Sequence, residues 1–262
     1  MKKIAILISG NLDKNINEEK VKYGYSLSKV INALRCQFED DYDVNYFCVF
    51  NQDFDKKLFR GKLIDYLIKS DEDIIIENKE IFKNTKIKRF DLQFCRRKYL
   101  KTFVQKHREN YDFYIYLRND SILVPNGNGL KNNDRNISSK YYGYKRMHQI
   151  DPKYYLKKFK LKDNFNDFFI YRIAYTYVND NDIHNGFCLT NWKGMICFLD
   201  FVYSKAIYKY NIRHTSMPER IQAIYLKKKY PLLKIKNVED ILESNSKDKD
   251  KFNYLSIPRF VK

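Results

Sequence analysis

Apolar runs separated by short polar segments recur along the first part of the chain in the order of strands and helices. Residues 3–9 and residues 43–50 are almost continuously apolar, which is typical of strands buried on both faces of a parallel sheet. Between them, residues 19–38 carry apolar side chains at helical spacing. This order of strand, helix and strand predicts an α/β fold with a mostly parallel central sheet, right-handed crossovers and flanking helices.

Three further elements are predicted before the middle of the chain. Residues 55–69 place apolar side chains between basic ones and predict a helix, and residues 74–76 predict a third short strand. Residues 89–109 predict a long amphipathic helix with a strongly basic outer side. This helix leads the chain directly into residues 111–125.

Residues 111–125 are predicted to form the central strand. The apolar positions stop at the polar triplet Arg118, Asn119 and Asp120 and resume after it. Ligands of open α/β sheets bind outside the carboxyl ends of the strands, so the triplet marks a candidate site. Periodicity alone equally allows an ordinary core strand with a polar turn.

The second half of the chain is less regular. Residues 141–146 predict a strand that returns toward the site, and residues 151–167 are basic and aromatic, as in a mobile flap, an acceptor-binding insertion or a partner surface. A helix is predicted to begin near Trp192. Another begins after the cap Ser216, with proline in its first turn, and a short strand-like run starts at residue 234.

Composition agrees with a folded protein and adds a strong positive charge. Apolar residues make up 44% of the chain, and glycine and proline are few, which excludes the disordered and fibrous classes. The formal net charge of +18 implies an anionic partner such as a phosphorylated small molecule, an acidic lipid surface or nucleic acid. Lysine and arginine are spread along the whole length, so general solvation of a basic surface is the simplest explanation of the charge.

The cysteines and the apolar runs bear on the compartment. Five cysteines, an odd number without CxxC spacing, indicate buried thiols in a reducing environment. The first apolar run is interrupted too early for a signal peptide and predicts a strand instead. No run approaches the ~20 residues that span a bilayer. A soluble cytoplasmic protein is therefore expected.

Several common active-site chemistries lack their residues in this sequence. There is no Cys or His pair at metal-ligand spacing, no nucleophile elbow, no Walker loop and no G-x-G-x-x-G motif. Four isolated histidines are most simply structural, and only His184, which has Asp180 and Asp182 nearby, stays a candidate. What remains is a set of carboxylates at strand ends in a basic surround.

Asp120, at the end of the central strand, is the candidate metal ligand. Mg²⁺ and Mn²⁺ use one or two protein carboxylates and take their other ligands from phosphate and water. Such an ion stabilises a leaving nucleoside diphosphate, and a carboxylate farther along the chain then acts as base on an acceptor hydroxyl. On the preceding helix, Gln93 and Arg97 lie a turn apart and are placed to reach a diphosphate.

Four segments follow one another along the chain: KIAILISG, the stretch from RFDLQF to LRND, DNDIHNGF, and MPERIQAIYLKKK. Together they resemble GT-A-type glycosyltransferases of bacterial surface-polysaccharide clusters and large DNA viruses. The resemblance implies a GT-A-like, Rossmann-like fold. It also implies a role in polysaccharide biosynthesis, in which a sugar moves from a UDP-, GDP- or dTDP-linked donor to a hydroxyl of a glycan or lipid-linked acceptor.

The resemblance also implies a division of the chain. One glycosyltransferase-like domain is expected over residues 1–262. Residues 1–125 would form its nucleotide-binding half, and residues 126–262 its acceptor-side half with a C-terminal helical or extended appendage.

Individual residues receive roles from the same resemblance. Asp120 would contact the Mg²⁺ or Mn²⁺ ion or the ribose and diphosphate, and Arg118 would supply part of the positive charge, since the triplet has one carboxylate. Asp182 and Glu219 would be the catalytic carboxylates. Glu219 is interpreted equally well as an acidic residue that stabilises the amino terminus of a helix. The other expected contacts of the nucleotide sugar are Ser9, Gly10, Asn11, Gln93, Arg97, Asn119, Asn185 and Gly186.

Two other functions stay open. The charge and the many aromatic residues also suit a nucleic-acid-binding protein, although the sequence has no RRM, KH, zinc or helix-turn-helix signature. A catalytically inactive relative that serves as a scaffold would account for the single carboxylate of the triplet. Peripheral contact with a membrane, through residues 151–177 or the basic tail, is a further expectation because a lipid-linked acceptor lies there.

Overall fold

Nine strands form two sheets in the computed structural model, which describes residues 1–12, 27–82, 89–108, 111–119, 121–125, 169–172, 183, 186–210, 218–237 and 252–256. The strands are β1 (Lys3–Gly10), β2 (Asp43–Phe50), β3 (Leu63–Ile68), β4 (Phe113–Arg118), β5 (Ser121–Pro125), β6 (Phe169–Arg172), β7 (Phe187–Thr190), β8 (Lys234–Asn237) and β9 (Phe252–Ser256).

The main sheet has seven strands in the order β3-β2-β1-β4-β7-β6-β8. Neighbours are parallel from β3 to β4 and again between β6 and β8, while β7 is antiparallel to both of its neighbours. The predicted fold class, a mostly parallel central sheet flanked by helices, is confirmed. The predicted central strand is confirmed as well, because β4 is the fourth strand of the seven.

Helices cover both faces of this sheet. Ile4, Ile6 and Ile8 of β1 pack in the cluster that contains α1, whereas Ala5 and Leu7 pack in the cluster built with α4, α5, α6 and α7. Burial on both faces explains why the strand sequences are continuously apolar. The helices are α1 (Leu27–Phe38), α2 (Asp71–Glu77), α3 (Lys79–Phe82), α4 (Arg89–Lys106), α5 (Trp192–Leu199), α6 (Tyr203–Tyr210) and α7 (Pro218–Lys229).

Most element predictions within the described ranges are confirmed. The strands predicted at residues 3–9 and 43–50 are β1 and β2, and the helix predicted at residues 89–109 is α4. The helices predicted near Trp192 and Pro218 are α5 and α7, and the run from residue 234 is β8. For the helix predicted at residues 19–38, the part from Leu27 onward is confirmed. The predictions for residues 141–146, residues 151–167 and Ser216 lie outside the described residues.

The helix predicted at residues 55–69 is wrong. A short 3-10 helix at Lys56–Phe59 is followed by the strand β3. Arg60 and Gly61 separate the two with φ angles of 48° and 79°, and this left-handed conformation ends a helix. β3 then pairs in parallel with β2, and its residues alternate between half-buried and exposed. Pairing with a neighbouring strand outweighs the helical spacing of the apolar residues.

The strand predicted at residues 74–76 is also wrong, because these residues belong to α2. The start of α2 is a capping box, in which the Asp73 N–H donates to Ser70 Oγ (3.0 Å) and the Ser70 N–H donates to Asp73 Oδ2 (3.1 Å). Three consecutive isoleucines favour a strand, but Ile74 is buried while Ile76 is 59% exposed. The capping box and the burial of only one side of the segment therefore favour a helix at residues 74–76.

β5 continues the chain after the polar triplet but leaves the main sheet. It pairs antiparallel with β9, and the register places Ser121 opposite Ser256. The strand predicted to resume after the triplet is thus present, and its partner comes from the far end of the chain. Within the described ranges, no helix is both long and apolar enough to cross a membrane. The division into two halves at residue 125 stays a prediction.

Asp200, at the carboxyl end of α5, ties three helices together. Its carboxylate accepts hydrogen bonds from Lys101 of α4 (2.6 Å), from Tyr225 of α7 (3.1 Å) and from Lys229 of α7. Burial by itself raises the pKa of Asp200, but the hydrogen bonds from the two lysines outweigh burial and lower this pKa from 3.8 to about 2. The ionised carboxylate is therefore favoured in the folded state.

Asp200→Asn is expected to lower the free energy of unfolding at pH 7 by about 2 kcal/mol, because a shift of one pKa unit corresponds to about 1.4 kcal/mol. Since the folded pKa lies below the unfolded one, this stabilisation is present above about pH 4 and is lost as the pH falls toward 2. Urea unfolding at pH 7, 5, 4 and 3 measures it. Asp65→Asn, in an exposed pair with Lys106, is the control, with an expected change below about 0.5 kcal/mol. Equal effects of the two substitutions would contradict the prediction.

Candidate functional site

The carboxyl ends of β1 and β4 lie side by side at the point where the strand order changes direction. From β1 the chain reaches β2 on one side and β4 on the other. In open α/β sheets the crevice at such a switch point is the place where ligands bind. Ser9 of β1 pairs in register with Arg118 of β4. The two predicted segments, at residues 9–11 and 118–119, therefore meet at this crevice.

Asn119 joins the two strand ends. Its side chain, which is 5% exposed, donates from Nδ2 to the carbonyl of Asn11 (2.7 Å), and its backbone N–H donates to the carbonyl of Ser9 (3.3 Å). The Asn119 Oδ1 atom is buried and has no hydrogen-bond partner within the described residues. Gly10 is required here because a Cβ atom at this position would overlap Asn119 Oδ1.

Ser9 takes part through its backbone. Its hydroxyl is buried and lies 3.0 Å from the hydroxyl of Tyr116, below the strand end. Its carbonyl accepts from Asn119. Ser9 is fully buried, so the contact predicted between Ser9 and a nucleoside stays a prediction.

Asn51, just after β2, anchors the loop that follows β1. Its Oδ1 accepts from the N–H of Leu12 (2.6 Å), and its Nδ2 donates to the Leu12 carbonyl (3.4 Å). Asn51 is not among the site residues predicted from the sequence. The Asn51 amide thus bonds both the N–H and the carbonyl of one residue, Leu12, and holds the loop against β2.

Arg96 is a site residue that sequence reasoning missed. The side chain is 2% exposed, and its guanidinium donates to Asn11 Oδ1, to Asp71 Oδ1 and to the carbonyl of Lys69 (3.4 Å). Asp71 is the first residue of α2, and its side chain is 37% exposed. The helix α4 thus contributes a buried cation to the loop after β1.

Arg97, the neighbour of Arg96, lies in the core. Its guanidinium carbon is 4.2 Å from the ring centroid of Phe198 and 4.7 Å from that of Phe94, and the side chain is fully buried. Burial lowers the pKa of Arg97 to about 10, so the group stays charged at neutral pH. Gln93, one turn earlier, is half-buried. The structure therefore brings Arg96, and not Arg97, to the strand ends.

Gly186 contacts β4, and Glu219 contacts Ile183, in both cases through the backbone. The N–H of Arg118 donates to the Gly186 carbonyl (3.0 Å), and the N–H of Ile183 donates to the Glu219 carbonyl (3.4 Å). Ile183 is fully buried. The segment before β7 thus connects the end of β4 with the first turn of α7. The contacts predicted for Asp120, Asp182, His184 and Asn185 lie outside the described residues.

The described residues contain no group of three or more His, Cys, Asp or Glu side chains arranged to hold a metal ion. Among the described carboxylates near the strand ends, Asp71 pairs with Arg96 and Asp53 pairs with Lys56. A metal ion at this crevice would therefore depend on Asp120 and on phosphate oxygens, and the predicted metal site stays a prediction.

No protein-family model and no curated protein matches this chain. Among solved structures it is similar to the apo form of the glycosyltransferase GlyE of Streptococcus pneumoniae TIGR4, with a TM-score of 0.39 and 14% sequence identity. The match covers 91% of this chain and 46% of that one, so this chain spans about half the length of GlyE. A similarity at this distance says nothing about donor or acceptor.

Proposed function

We propose that this chain is a glycosyltransferase that moves a sugar from a nucleotide-sugar donor to a hydroxyl of a glycan or lipid-linked acceptor. The observation that carries the proposal is the switch point between β1 and β4, where Gly10 and Asn119 form a close junction at the carboxyl end of the parallel sheet. This is the place at which α/β sheets bind nucleotides. Because four sequence segments resemble those of GT-A-type glycosyltransferases, we favour a nucleotide sugar over other nucleotide ligands.

The residues divide between donor and acceptor sides. The peptide groups of residues 9–11 would contact the nucleoside, while Arg118 and Asp120 would face the diphosphate, Asp120 through Mg²⁺ or Mn²⁺. Such an ion neutralises the charge that develops on the leaving diphosphate. The net charge of +18 favours the approach of an anionic donor.

The transfer breaks the bond between the anomeric carbon and the diphosphate oxygen and forms a bond to the acceptor oxygen. The electron pair of the broken bond stays with the nucleoside diphosphate. The acceptor hydroxyl loses its proton to a carboxylate, for which Asp182 and Glu219 are the candidates. Glu219 is the second residue of α7, and its carbonyl accepts from the N–H of Ile183 in the segment before β7.

The test is binding and turnover with a panel of UDP-, GDP- and dTDP-linked sugars in the presence of Mn²⁺. We expect at least one to bind and to be hydrolysed slowly, and Asp120→Ala to lower this turnover on the order of a hundredfold, as expected when a group that stabilises transition-state charge is lost. Asp41→Ala is the matched control, because Asp41 is exposed in the turn at the amino end of β2, at the edge of the parallel sheet opposite to the carboxyl ends of β1 and β4.

Three results would contradict the proposal. The first is a panel without any binding, and the second is equal activity of the Asp120→Ala and Asp41→Ala variants. The third is binding of a random oligonucleotide at micromolar or lower concentration and physiological salt, with a steep salt dependence, which would favour a nucleic-acid-binding protein. Binding of a nucleotide sugar without turnover would indicate an inactive scaffold.

A further inference from the structure

We propose that Arg96 is a positioning residue that holds the donor crevice in shape, a role that rests on the proposed function. Its guanidinium contacts Asn11 after β1, the Lys69 carbonyl after β3 and Asp71 at the start of α2. β1 and β3 are not neighbours, because β2 lies between them. A single side chain from α4 therefore connects the ends of two strands that do not pair with each other.

The chemistry of this contact requires an arginine. The guanidinium is 2% exposed, and a buried cation is tolerated only when it is paired and hydrogen-bonded. Its planar fork presents Nη1 to Asn11 and Nη2 to Asp71 at the same time. A lysine ammonium is a compact point charge and does not reproduce this geometry. Arg96→Lys would therefore retain the charge and lose one of the two contacts.

The loop that follows β1 connects Arg96 with the peptide groups that would contact the nucleoside. The side chain of Asn11 is held by Arg96, and its carbonyl is held by Asn119 (2.7 Å). The next residue, Leu12, is held by Asn51. Without Arg96 the Asn11 side chain loses its anchor, and the loop after β1 is held by Asn119 and Asn51 alone, so that it opens more often. The loop then presents its peptide groups to the donor in the bound geometry for less of the time, which weakens donor binding.

The first experiment needs no nucleotide sugar. Hydrogen exchange of the amides of residues 9–12 is compared in the wild type, Arg96→Lys and Asn11→Ala. We expect exchange to be faster by about tenfold in both variants, the factor that corresponds to a lost hydrogen bond to a charged group. Asn11 is exposed, so Asn11→Ala removes the acceptor of Arg96 Nη1 without replacing a buried residue. Arg35→Lys is the matched control, because Arg35 of α1 is likewise an arginine paired with a carboxylate, that of Glu39. It should not change the exchange rate of residues 9–12. Unchanged exchange in Arg96→Lys would overturn the inference.

The second experiment measures the donor. In Arg96→Lys we expect the KM for the nucleotide sugar to rise about tenfold while kcat stays within about threefold, because Arg96 does not touch the reacting atoms. Arg35→Lys, the control from the first experiment, alters an arginine of α1 outside the site and should keep the wild-type KM. The double variant Arg96→Lys/Asn11→Ala should be no worse than the worse single variant.

Additive losses in the double variant, or a fall of kcat at unchanged KM, would overturn the positioning role. A wild-type chain that binds no nucleotide sugar would overturn the proposed function instead. The exchange rates of residues 9–12 then decide the role of Arg96 by themselves.

Discussion

Gly10→Ala is expected to lower the free energy of unfolding by about 2 kcal/mol, within the range of overpacking substitutions, and to weaken nucleotide-sugar binding at least about tenfold. The added Cβ would overlap Asn119 Oδ1 and lie 2.5 Å from Asn119 Cγ. The Asn119 side chain must then move and lose its hydrogen bond to the Asn11 carbonyl. Both effects arise at the junction of β1 and β4, and they are measured by urea unfolding and by donor titration.

A second substitution tests this cause. The Gly10 Cβ would lie 3.4 Å from Asn119 Cβ, which is an ordinary contact. Asn119→Ala therefore removes the overlap, and Gly10→Ala/Asn119→Ala should be more stable than Gly10→Ala alone, although Asn119→Ala by itself costs about 1 kcal/mol for a lost hydrogen bond. Donor binding should stay weak in the double variant, because Asn119 is absent. Simple addition of the two stability losses would contradict the steric explanation.

Gly194→Ala is expected to reduce stability by about 2 kcal/mol net, or about 4 °C in Tm for a chain of this size. A Cβ on Gly194 of α5 would overlap Thr190 Oγ1 and the carbonyl oxygen of Phe169. Overpacking of this kind costs about 3 kcal/mol, and the better helix propensity of alanine offsets about 1 kcal/mol. The substitution thus tests how closely α5 approaches β6 and β7.

The contact with Phe169 makes this position different from Gly10, because the overlapped atom belongs to the backbone. Thr190→Ala should therefore restore only part of the stability lost in Gly194→Ala. Gly61→Ala is the control for backbone strain alone, since Gly61 has a φ of 79° and no atom near its added Cβ, with an expected cost of about 1 kcal/mol. A Tm of Gly194→Ala equal to or above that of the wild type would show that the helix can move away from the sheet.

The strands that are buried on both faces were predictable because such burial requires apolar residues at consecutive positions in the sequence. β1, β2 and β4 each contribute to both core clusters, so nearly every position is apolar. The errors fell where one face is exposed. β3 is at the edge of the sheet with alternating exposure, and α2 buries Ile74 but exposes Ile76. Local spacing of apolar residues does not separate helix from strand in such short, half-exposed segments.

The site was predictable to the level of strand ends and not to the level of side chains. Gly10 and Asn119 follow adjacent parallel strands, whose carboxyl ends must meet, and the structure places them in contact. Arg96 and Arg97 are neighbours on one helix, and both are buried. Only the packing of α4 against the sheet directs Arg96 to Asn11 and Arg97 to the aromatic core.

The sequence by itself determined the α/β class, the central position of β4 and the polar triplet at its end, because each of these follows from hydrophobicity along consecutive residues. The tertiary structure decided which arginine reaches the crevice, why residue 10 must be glycine, and that β5 pairs with β9, which places Ser121 opposite Ser256. These features depend on contacts between residues far apart in the chain. The energy of such contacts comes from the steric fit and hydrogen bonding of side chains that meet only in the folded chain. These contacts therefore produce no periodic pattern in the local sequence.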